Sequence, residues 1–316
     1  MRTGVGFDKV LVTGGAGFIG SHTVDALLER GLSVWVIDNL STGTLRNLKR
    51  WKGNPNFHFA KGDVTKSKPL RDIAGKVEAI VHLAALVSPK ISVANPELAN
   101  DVNVSGTLKV LQAALRRHVE KVVFASSSSV YGNSTMNPIP ENAALDPISP
   151  YGVSKLAAEK YCRAYHVVYG LKTVSLRYLN VYGERQSSNP YSGVIAIFAR
   201  NLLDGKRPKI FGDGRQTRDF IHVSDVVNAN LLALRSKQGV GGSFNIGTGQ
   251  ATSIRELYQV LASLIGIDLK PVFAQRRPGD IEHSCARIDR ATKILGFRPR
   301  LSLQAGLRLF VRSLQQ

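Results

Sequence analysis

The stretch VTGGAGFIGSH, residues 12–22, decides how the first part of the chain folds. It follows a short apolar run, and its glycines at positions 14, 17 and 20 allow a tight turn, a close approach to a pyrophosphate and close helix–sheet packing. The helix that it opens would present backbone N–H groups to an anion. The spacing is G-x-x-G-x-x-G, and glycine-rich turns also have purely structural uses. The stretch therefore predicts a strand–turn–helix unit, and its surroundings decide whether it binds phosphate.

Acidic residues near the ends of the next two apolar runs favour a dinucleotide. Asp38 lies eighteen residues after Gly20, where a carboxylate hydrogen-bonds the adenosine ribose and repels a 2′-phosphate. The predicted cofactor is therefore NAD rather than NADP. Asp63, in KGDV, either meets the adenine or forms a turn, and the sequence leaves both interpretations open.

Apolar runs alternate with helix-period segments through the first 180 residues. Strands are predicted at 9–13, 33–37, 57–60, 78–83, 121–126 and 172–177. Helices are predicted near 18–30, 96–118 and 150–169. Strands that are apolar throughout, separated by helices, indicate a parallel sheet covered on both faces. The predicted fold class is α/β, a doubly wound Rossmann sheet with a smaller α/β C-terminal lobe that binds substrate.

After residue 180 the pattern becomes irregular. A loop rich in Ser, Asn and Pro at 184–193 leads to a predicted helix near 194–204. Ser253 and Glu256 form a capping-box pair for a helix over about 252–265. We predict a cofactor domain over residues 1–180, with parts of 218–250, and a substrate domain mainly over 181–316.

The composition limits the possible partners. Lys and Arg number 42 against 23 Asp and Glu, a formal net charge of +19 that suits a polyanion, a membrane surface or an anionic metabolite. The charges are dispersed and no RNA-binding or zinc-finger pattern occurs, so no nucleic-acid partner is predicted. Cys162 and Cys285 lie far apart, which indicates neither disulfides nor a metal site. Without a signal peptide or an apolar run of about 18 residues, we expect a cytoplasmic protein with no membrane partner.

A second motif, PYGVSK (150–155), places Tyr151 and Lys155 four residues apart on one helix face. A free tyrosine has a pKa near 10, which is too high for a base in neutral water. A nearby ammonium and a positive nicotinamide ring would favour the phenolate and lower that pKa. Tyr151 is then a candidate base that takes an alcohol proton while hydride leaves the same carbon. An ordinary surface Tyr and Lys is the alternative, and the preceding dinucleotide motif weakens it.

Together the motifs resemble the extended short-chain dehydrogenases/reductases, and among these the UDP-glucose 4-epimerase type. The motifs occur in family order along essentially the whole chain: TGGAGFIG (13–20), DNLSTG (38–43), HLAA (82–85), SSSSVYG (126–132), PYGVSK (150–155), RYLNVYG (177–183), RDFIHVSD (218–225) and RRPGD (276–280). The resemblance implies an isomerase with bound NAD, a UDP-sugar substrate and a homodimer formed through the helices near 96–118 and 150–169.

The resemblance also implies roles for individual residues. Tyr151 is the base, Lys155 holds the nicotinamide ribose and tunes Tyr151, and Ser127 shortens the proton path from the sugar 4-OH. The implied NAD contacts are Gly14, Gly17, Phe18, Ile19, Asp38, Asn39, Ser41, Gly43, Asp63, Val64, Leu83, Ala84, Ala85, Asn103, Ser126, Tyr151, Lys155 and Tyr178. The implied UDP-sugar contacts are Ser88, Ser127, Ser128, Ser129, Asn180, Val194, Arg218, Arg277, Asp280 and Ser284. Arginine suits a diphosphate because its fork pairs two oxygens at once, although Arg218 and Asp219 could instead form a surface pair.

Two positions indicate which member of the family this is. Related 4,6-dehydratases carry an acidic pair where Ser128 and Ser129 stand, and UDP-glucuronate decarboxylases carry Glu at the second position. Serine cannot act as that acid or base at neutral pH, so C4 epimerisation is predicted. Ser284 stands where a tyrosine limits the family's sugar pocket to glucose and galactose, so we expect N-acetyl sugars to be accepted too.

Two alternatives stay open from the sequence. UDP-glucuronate 4-epimerases share the SSSSVYG and RPGD motifs, so a uronate is the second candidate substrate. A catalytically silent NAD-sensing or polyanion-binding scaffold would need the fold alone. The complete set of Ser127, Tyr151 and Lys155 argues against the scaffold.

Overall fold

A computed structural model of the chain describes residues 4–186, 193–276 and 281–315. The strands are β1 (Lys9–Thr13), β2 (Ser33–Asp38), β3 (Phe57–Lys61), β4 (Ala79–His82), β5 (Lys121–Ser127), β6 (Lys172–Tyr178), β7 (Asn180–Tyr182), β8 (Lys209–Phe211), β9 (Thr217–Arg218), β10 (Phe220–His222), β11 (Ser243–Ile246), β12 (Thr252–Ser253), β13 (Val272–Ala274) and β14 (His283–Ser284). The α-helices are α1 (Phe18–Leu28), α2 (Ser67–Ala74), α3 (Pro89–Ala94), α4 (Pro96–Asn100), α5 (Gly106–Arg116), α6 (Pro150–Tyr169), α7 (Val194–Leu203), α8 (Val223–Arg235), α9 (Ile254–Ile265), α10 (Asp289–Leu295) and α11 (Leu303–Leu314). Short 3₁₀ or π segments cover Leu45–Trp51, Asp101–Ser105 and Ser128–Tyr131.

Seven parallel strands form the main sheet, in the order β11-β6-β5-β4-β1-β2-β3. The α/β Rossmann prediction is confirmed, and the six predicted strands are its β1 to β6. Side chains alternate between the two faces of a strand: Val10 and Val12 pack in the core cluster beneath α1 and α8, whereas Leu11 packs in the cluster that α2, α5 and α6 cover. Burial on both faces explains why inner strands such as β1 and β4 are mostly apolar.

The seventh strand, β11, comes from far along the chain and pairs with β6, from Ser243↔Ser175 to Ile246↔Tyr178. Around this crossover the chain builds a second core from α7, α9 and α11. Ser253 caps α9 as predicted, its Oγ accepting a hydrogen bond of 3.0 Å from the Glu256 N–H. Strands β12, β9 and β14 form a separate three-stranded sheet in that order. The domain boundaries themselves stay a prediction, since strands of both parts alternate along the chain.

Among the described residues, no helix combines the length and the apolar character needed to span a membrane.

Candidate active site

The glycine turn after β1 is packed so tightly that side chains would not fit in it. Gly14 has a φ of +70°, and a Cβ on it would lie 2.7 Å from the backbone nitrogen of Ala84. A Cβ on Gly20 would lie 2.0 Å from the carbonyl oxygen of Gly14. Helix α1 then starts at Phe18 with Gly17 as its N-cap and no side-chain cap. Its first N–H groups are therefore left for an anion, as the predicted phosphate cradle requires.

Asp38 connects this turn to the end of β2 through hydrogen bonds. Its Oδ2 accepts a hydrogen bond of 2.9 Å from the Ala16 N–H, and its Oδ1 accepts one of 2.8 Å from the Leu40 N–H. The carboxylate is buried. Each carboxylate oxygen can accept a further hydrogen bond, so Asp38 both shapes the turn and can receive ribose hydroxyls beside it.

Asp63 forms the turn that the sequence offers as one of its two roles. Its Oδ1 accepts 2.8 Å from the Thr65 N–H, and its Oδ2 accepts 2.9 Å from Asn39 Nδ2. Partial burial raises the pKa of Asp63, but these hydrogen bonds outweigh it, so the pKa is lowered. Asp63 thus holds Asn39, another predicted cofactor residue, beside the end of β3.

The predicted NAD residues lie mainly at one edge of the sheet. The carboxyl ends of parallel strands are where α/β proteins bind nucleotides. Residues that follow β1, β2, β3 and β4 at this edge are Gly14, Gly17, Phe18, Ile19, Asp38, Asn39, Ser41, Gly43, Asp63, Val64, Leu83, Ala84 and Ala85. Gly43 packs on the glycine turn itself, where a Cβ would lie 2.8 Å from the carbonyl carbon of Ala16.

Two predicted NAD contacts have their polar side-chain atoms engaged within the protein. Asn103 Oδ1 accepts 2.8 Å from the Leu86 N–H, while its Nδ2 donates to the Leu86 carbonyl at 3.0 Å and to Ser154 Oγ at 2.9 Å. The Tyr178 hydroxyl donates to Asn230 Oδ1 at 2.5 Å, and burial raises its pKa. These groups support the loop after β4 and the end of β6 from within, where the sequence predicts direct contact with NAD.

Ser126, another predicted NAD contact, also has its side-chain hydroxyl hydrogen-bonded within the protein. Strand β5 continues to Ser127, and the Ser126 hydroxyl donates to the buried Glu159 Oε2 at 2.5 Å. The hydroxyl of Ser126 is therefore engaged within the protein, and its contact with NAD stays a prediction.

Helix α6 brings the candidate base into position. Ser149 caps it, accepting 3.1 Å from the Gly152 N–H, and Pro150 occupies the first turn, where its missing N–H costs nothing. The N–H of Tyr151 donates to Ser92 Oγ on α3 at 3.0 Å. The backbone at Tyr151 is thus fixed from two sides before any ligand binds.

Ser127 and Tyr151 lie close together, and each residue is only 9% exposed. Burial raises the pKa of the Tyr151 phenol, and the hydrogen bond from Ser127 offsets part of that rise. The sequence predicts that a nearby ammonium and the positive nicotinamide ring together lower this pKa, and this stays a prediction. Lys155 Nζ donates to the Ala125 carbonyl at 2.8 Å. Desolvation of the phenolate outweighs the other influences on this phenol.

The buried environment of Lys155 disfavours its charged form. Burial lowers the pKa of its ammonium to about 8. The ammonium lies 5.0 Å from the centre of the Phe124 ring, a cation–π contact that compensates only part of the lost hydration. Lys155 therefore loses its proton near pH 8 rather than near the ordinary value of 10.5.

Replacing Lys155 with methionine should stabilise the protein at pH 7 while removing its function. Below pH 8 the wild type keeps a desolvated ammonium that methionine lacks. Between the folded pKa of about 8 and the ordinary value of 10.5, the unfolded chain binds more protons, so wild-type stability rises with pH across this window. We expect the nucleotide-free variant to melt a few degrees higher than wild type at pH 7, and the difference to shrink by pH 10. A lower Tm for the variant at pH 7 would contradict this.

The four serines of 126–129 end the central strand and begin a 3₁₀ turn. Ser127 caps that turn, its Oγ accepting 3.2 Å from the Ser129 N–H and donating 3.2 Å to Ser129 Oγ. Ser128 and Ser129 lie in this turn, so neither of the two positions carries an acidic residue. Ser88, a further predicted substrate contact, caps α3 by accepting 3.2 Å from the Ile91 N–H.

The predicted substrate residues of the C-terminal part meet on β9 and β14. Arg218 and Ser284 are register partners on these parallel strands, and Ser284 is buried whereas Arg218 is half-buried. Arg218 Nη1 donates to the Thr217 carbonyl at 2.8 Å. Val194 is the first residue of α7. Two further predicted contacts, Arg277 and Asp280, lie outside the described residues.

Asp219 is a structural residue whose importance the sequence does not reveal. It is fully buried, which rules out the surface pair with Arg218. Its carboxylate accepts hydrogen bonds from the Thr248 N–H and hydroxyl, and from the N–H groups of Gly249 and Ala286, at 2.6–3.2 Å. Its own carbonyl accepts 3.1 Å from the Asn180 N–H and 3.3 Å from Asn180 Nδ2. Asp219 therefore joins Asn180 to the segments that carry the other substrate residues.

Comparison with known proteins identifies relatives over the whole length. The model of the NAD dependent epimerase/dehydratase family matches residues 10–247. A UDP-glucose 4-epimerase of Mycolicibacterium smegmatis is 41% identical over 305 residues, 95% of this chain and 96% of that protein. The structure of the UDP-glucose 4-epimerase of Thermotoga maritima with UDP-glucose has a TM-score of 0.92 at 40% identity, covering 97% of this chain and 98% of that one. The UDP-N-acetylglucosamine 4-epimerase of Methanobrevibacter ruminantium, in complex with UDP-N-acetylmuramic acid, has a TM-score of 0.93 at 38% identity, covering 98% of both chains.

Proposed function

The chain belongs to the NAD dependent epimerase/dehydratase family, and we propose that it inverts C4 of a UDP-hexose with NAD as a bound cofactor. The observation that carries the proposal is the close approach of Ser127, which ends β5, to Tyr151 on α6, one helical turn before Lys155, at the sheet edge that also bears the glycine cradle. UDP-glucose 4-epimerases are among the relatives that match nearly the whole chain.

The cradle has the shape and donors that a dinucleotide requires. The turn at Gly14 and Gly20 has no space for a Cβ, so a pyrophosphate can approach the backbone and the uncapped start of α1 closely. Asp38 can accept the ribose hydroxyls, and Lys155 lies where the nicotinamide ribose would be held. When bound, NAD supplies a reversible acceptor of hydride from the sugar C4.

The residues of the chain then handle the proton. Ser127 accepts the proton of the sugar 4-OH and passes its own proton to Tyr151, which acts as the base while C4 is oxidised. Tyr151 must be a phenolate to begin this step, and burial raises its pKa. The positive charges of Lys155 and of the oxidised cofactor would favour the phenolate. The 4-keto sugar would rotate to present its other face for the return of hydride, and Tyr151 would give the proton back through Ser127. No net oxidation occurs.

Ser128 and Ser129 restrict the chemistry to this step. A carboxyl group at either position would provide the acid or base for loss of the 6-hydroxyl or of a carboxylate. Serine hydroxyls do not ionise at neutral pH, so the sugar leaves with all its substituents.

The decisive test is to incubate the purified protein with UDP-glucose, UDP-galactose and UDP-glucuronate without added NAD and to identify the products. Epimerised hexose supports the proposal, turnover of the uronate alone favours a uronate epimerase, and no product with any sugar contradicts catalysis.

We further propose that N-acetyl sugars are substrates because Ser284 is small. Its neighbour across the strands is Arg218, a predicted diphosphate contact, so its side chain lies close to where the nucleotide sugar would sit. Changing Ser284→Tyr should lower kcat/KM for UDP-GlcNAc by about 10-fold or more, as 1–3 kcal/mol of steric discrimination corresponds to 10–200-fold, and leave UDP-glucose within about 3-fold of wild type. Initial rates on both sugars measure this. Equal losses on both would show that residue 284 does not select the N-acetyl group.

The assembly that we propose is a homodimer in the cytoplasm. One face of α6 carries the apolar side chains of Val153, Tyr161 and Val168, which are 40–67% exposed. Such a stripe on a helix is typical of a protein interface. The mass of the native protein in solution distinguishes a dimer from a monomer.

A further inference from the structure

We propose that the buried ion pair of Glu159 and Arg177 positions the catalytic hydroxyl of Ser127, a role that rests on the proposed epimerase reaction. The pair holds the segment 126–131 at both of its ends. We call Ser126, Tyr131, Glu159 and Arg177 together the serine clamp.

The ion pair forms the centre of the clamp. Arg177 Nη2 lies 2.6 Å from Glu159 Oε1, and Arg177 Nε donates to both carboxylate oxygens at 3.1–3.2 Å. Both side chains are only 5% exposed. Burial raises the pKa of Glu159, but the hydrogen bonds and the charge of Arg177 outweigh it, so the carboxyl stays ionised. This two-point contact fixes the orientation of the carboxylate as well as its charge.

The first end of the segment is held at Ser126. Its hydroxyl donates to Glu159 Oε2 at 2.5 Å, and Ser126 is the register partner of Arg177 on the neighbouring strand. Successive side chains of a strand point to opposite faces. Directing Ser126 toward Glu159 therefore sets the direction of the next residue, Ser127, toward Tyr151.

The second end is held at Tyr131. The Tyr131 hydroxyl accepts 2.7 Å from Arg177 Nη1 and donates 2.6 Å to Asn245 Oδ1, while the guanidinium lies 4.9 Å from the centre of the ring. Tyr131 is the last residue of the 3₁₀ turn that Ser127 caps. Because one ion pair holds the residue before Ser127 and the last residue of its turn, Ser127 has little freedom to shift away from Tyr151.

The clamp touches neither the reacting atoms nor the solvent, so its residues are positioning residues. Misplacing a catalytic group by about 1 Å can cost about 10²-fold in rate. Loss of the clamp should therefore lower kcat, through Ser127, and leave substrate affinity alone.

A matched pair of variants tests this. Ser126 and Ser243 each donate one hydroxyl hydrogen bond to Glu159, at 2.5 Å to Oε2 and 2.9 Å to Oε1, but Ser243 lies on β11, two strands away from the strand of Ser126 and Ser127. We expect Ser126→Ala to lower kcat for UDP-glucose about 10-fold or more, with KM within about 2-fold. Ser243→Ala should keep kcat within about 2-fold, although both changes remove one hydrogen bond to the buried Glu159 and should lower Tm. Equal kcat values for the two variants would contradict the proposal that the serine clamp positions Ser127.

A second measurement shows whether the effect passes through Ser127. In a Ser127→Ala background, Ser126→Ala should lower kcat by less than about 2-fold, because the group being positioned is already absent. The same factor in both backgrounds, or loss of bound NAD from Ser126→Ala, would overturn the proposal. An inactive wild type would instead refute the epimerase function itself, and this result is visible before any variant is made.

Discussion

A Tyr151→Phe variant is expected to lose about 10²–10⁴-fold in kcat for UDP-hexose epimerisation, the range that general acid–base groups contribute. Phenylalanine keeps the shape of a side chain that is only 9% exposed, so packing is preserved. What disappears is the oxygen that accepts the substrate proton from Ser127. Substrate and cofactor affinity should change little, since the effect belongs to the transition state.

The control for this variant lies on the same helix. Tyr161→Phe changes a tyrosine of α6 that is 40% exposed, and its kcat should stay within about 2-fold of wild type. Product formation, bound NAD and Tm are measured for both variants. If Tyr151→Phe keeps its NAD and its Tm and still turns over within 10-fold of wild type, Tyr151 is not the base.

The second large effect concerns stability. Glu159→Ala is expected to lower the free energy of unfolding by about 3–5 kcal/mol, because it leaves the buried Arg177 guanidinium without its counter-charge. Two serine hydroxyls, Ser126 and Ser243, lose their acceptor in the same change. A domain's whole stability is about 5–15 kcal/mol, so this single change should bring the protein close to unfolding at 37 °C.

An exposed pair of similar length provides the comparison. Arg50 Nη2 lies 2.8 Å from Glu29 Oε1, with both side chains about half exposed. Glu29→Ala should cost less than about 1 kcal/mol, since water screens such a pair and replaces its hydrogen bond. Urea unfolding of the two variants measures the contrast. Equal costs would mean that burial does not determine the strength of these pairs.

The sequence predicts the main sheet well because its strands are buried on both faces. Strands such as β1, β2 and β4 are runs of mostly apolar residues, and such runs are recognisable without knowledge of their partners. The seventh strand, β11, is not predicted as a strand, because Ser243 and Asn245 alternate with Phe244 and Ile246 over only four residues. Asn245 is fully buried and hydrogen-bonds across 106 positions, to the Ile139 carbonyl. No local pattern shows such a partner.

Only some residues of the candidate site can be predicted from the sequence. Ser127, Tyr151 and Lys155 are found from motifs, because the chemistry needs those groups within one helix and one strand end. The direction of the Tyr151 pKa shift is not, because it depends on how deeply the phenol is buried. Asn103 and Asp219 look like ordinary polar residues, yet each binds groups on distant segments. The sequence thus predicts the candidate reacting groups but not the groups that hold them in place.

The position of β11 in the chain bears on how the protein is made. Strand β6 ends at Tyr178, but its outer edge is covered only by residues 243–246. At roughly 5–20 residues per second, a ribosome needs several seconds to add the intervening chain. During that time the nascent sheet presents a bare row of peptide groups, which is a template for pairing with other chains. We expect the growing polypeptide to depend on chaperones, or on slow synthesis, until β11 has left the ribosome tunnel.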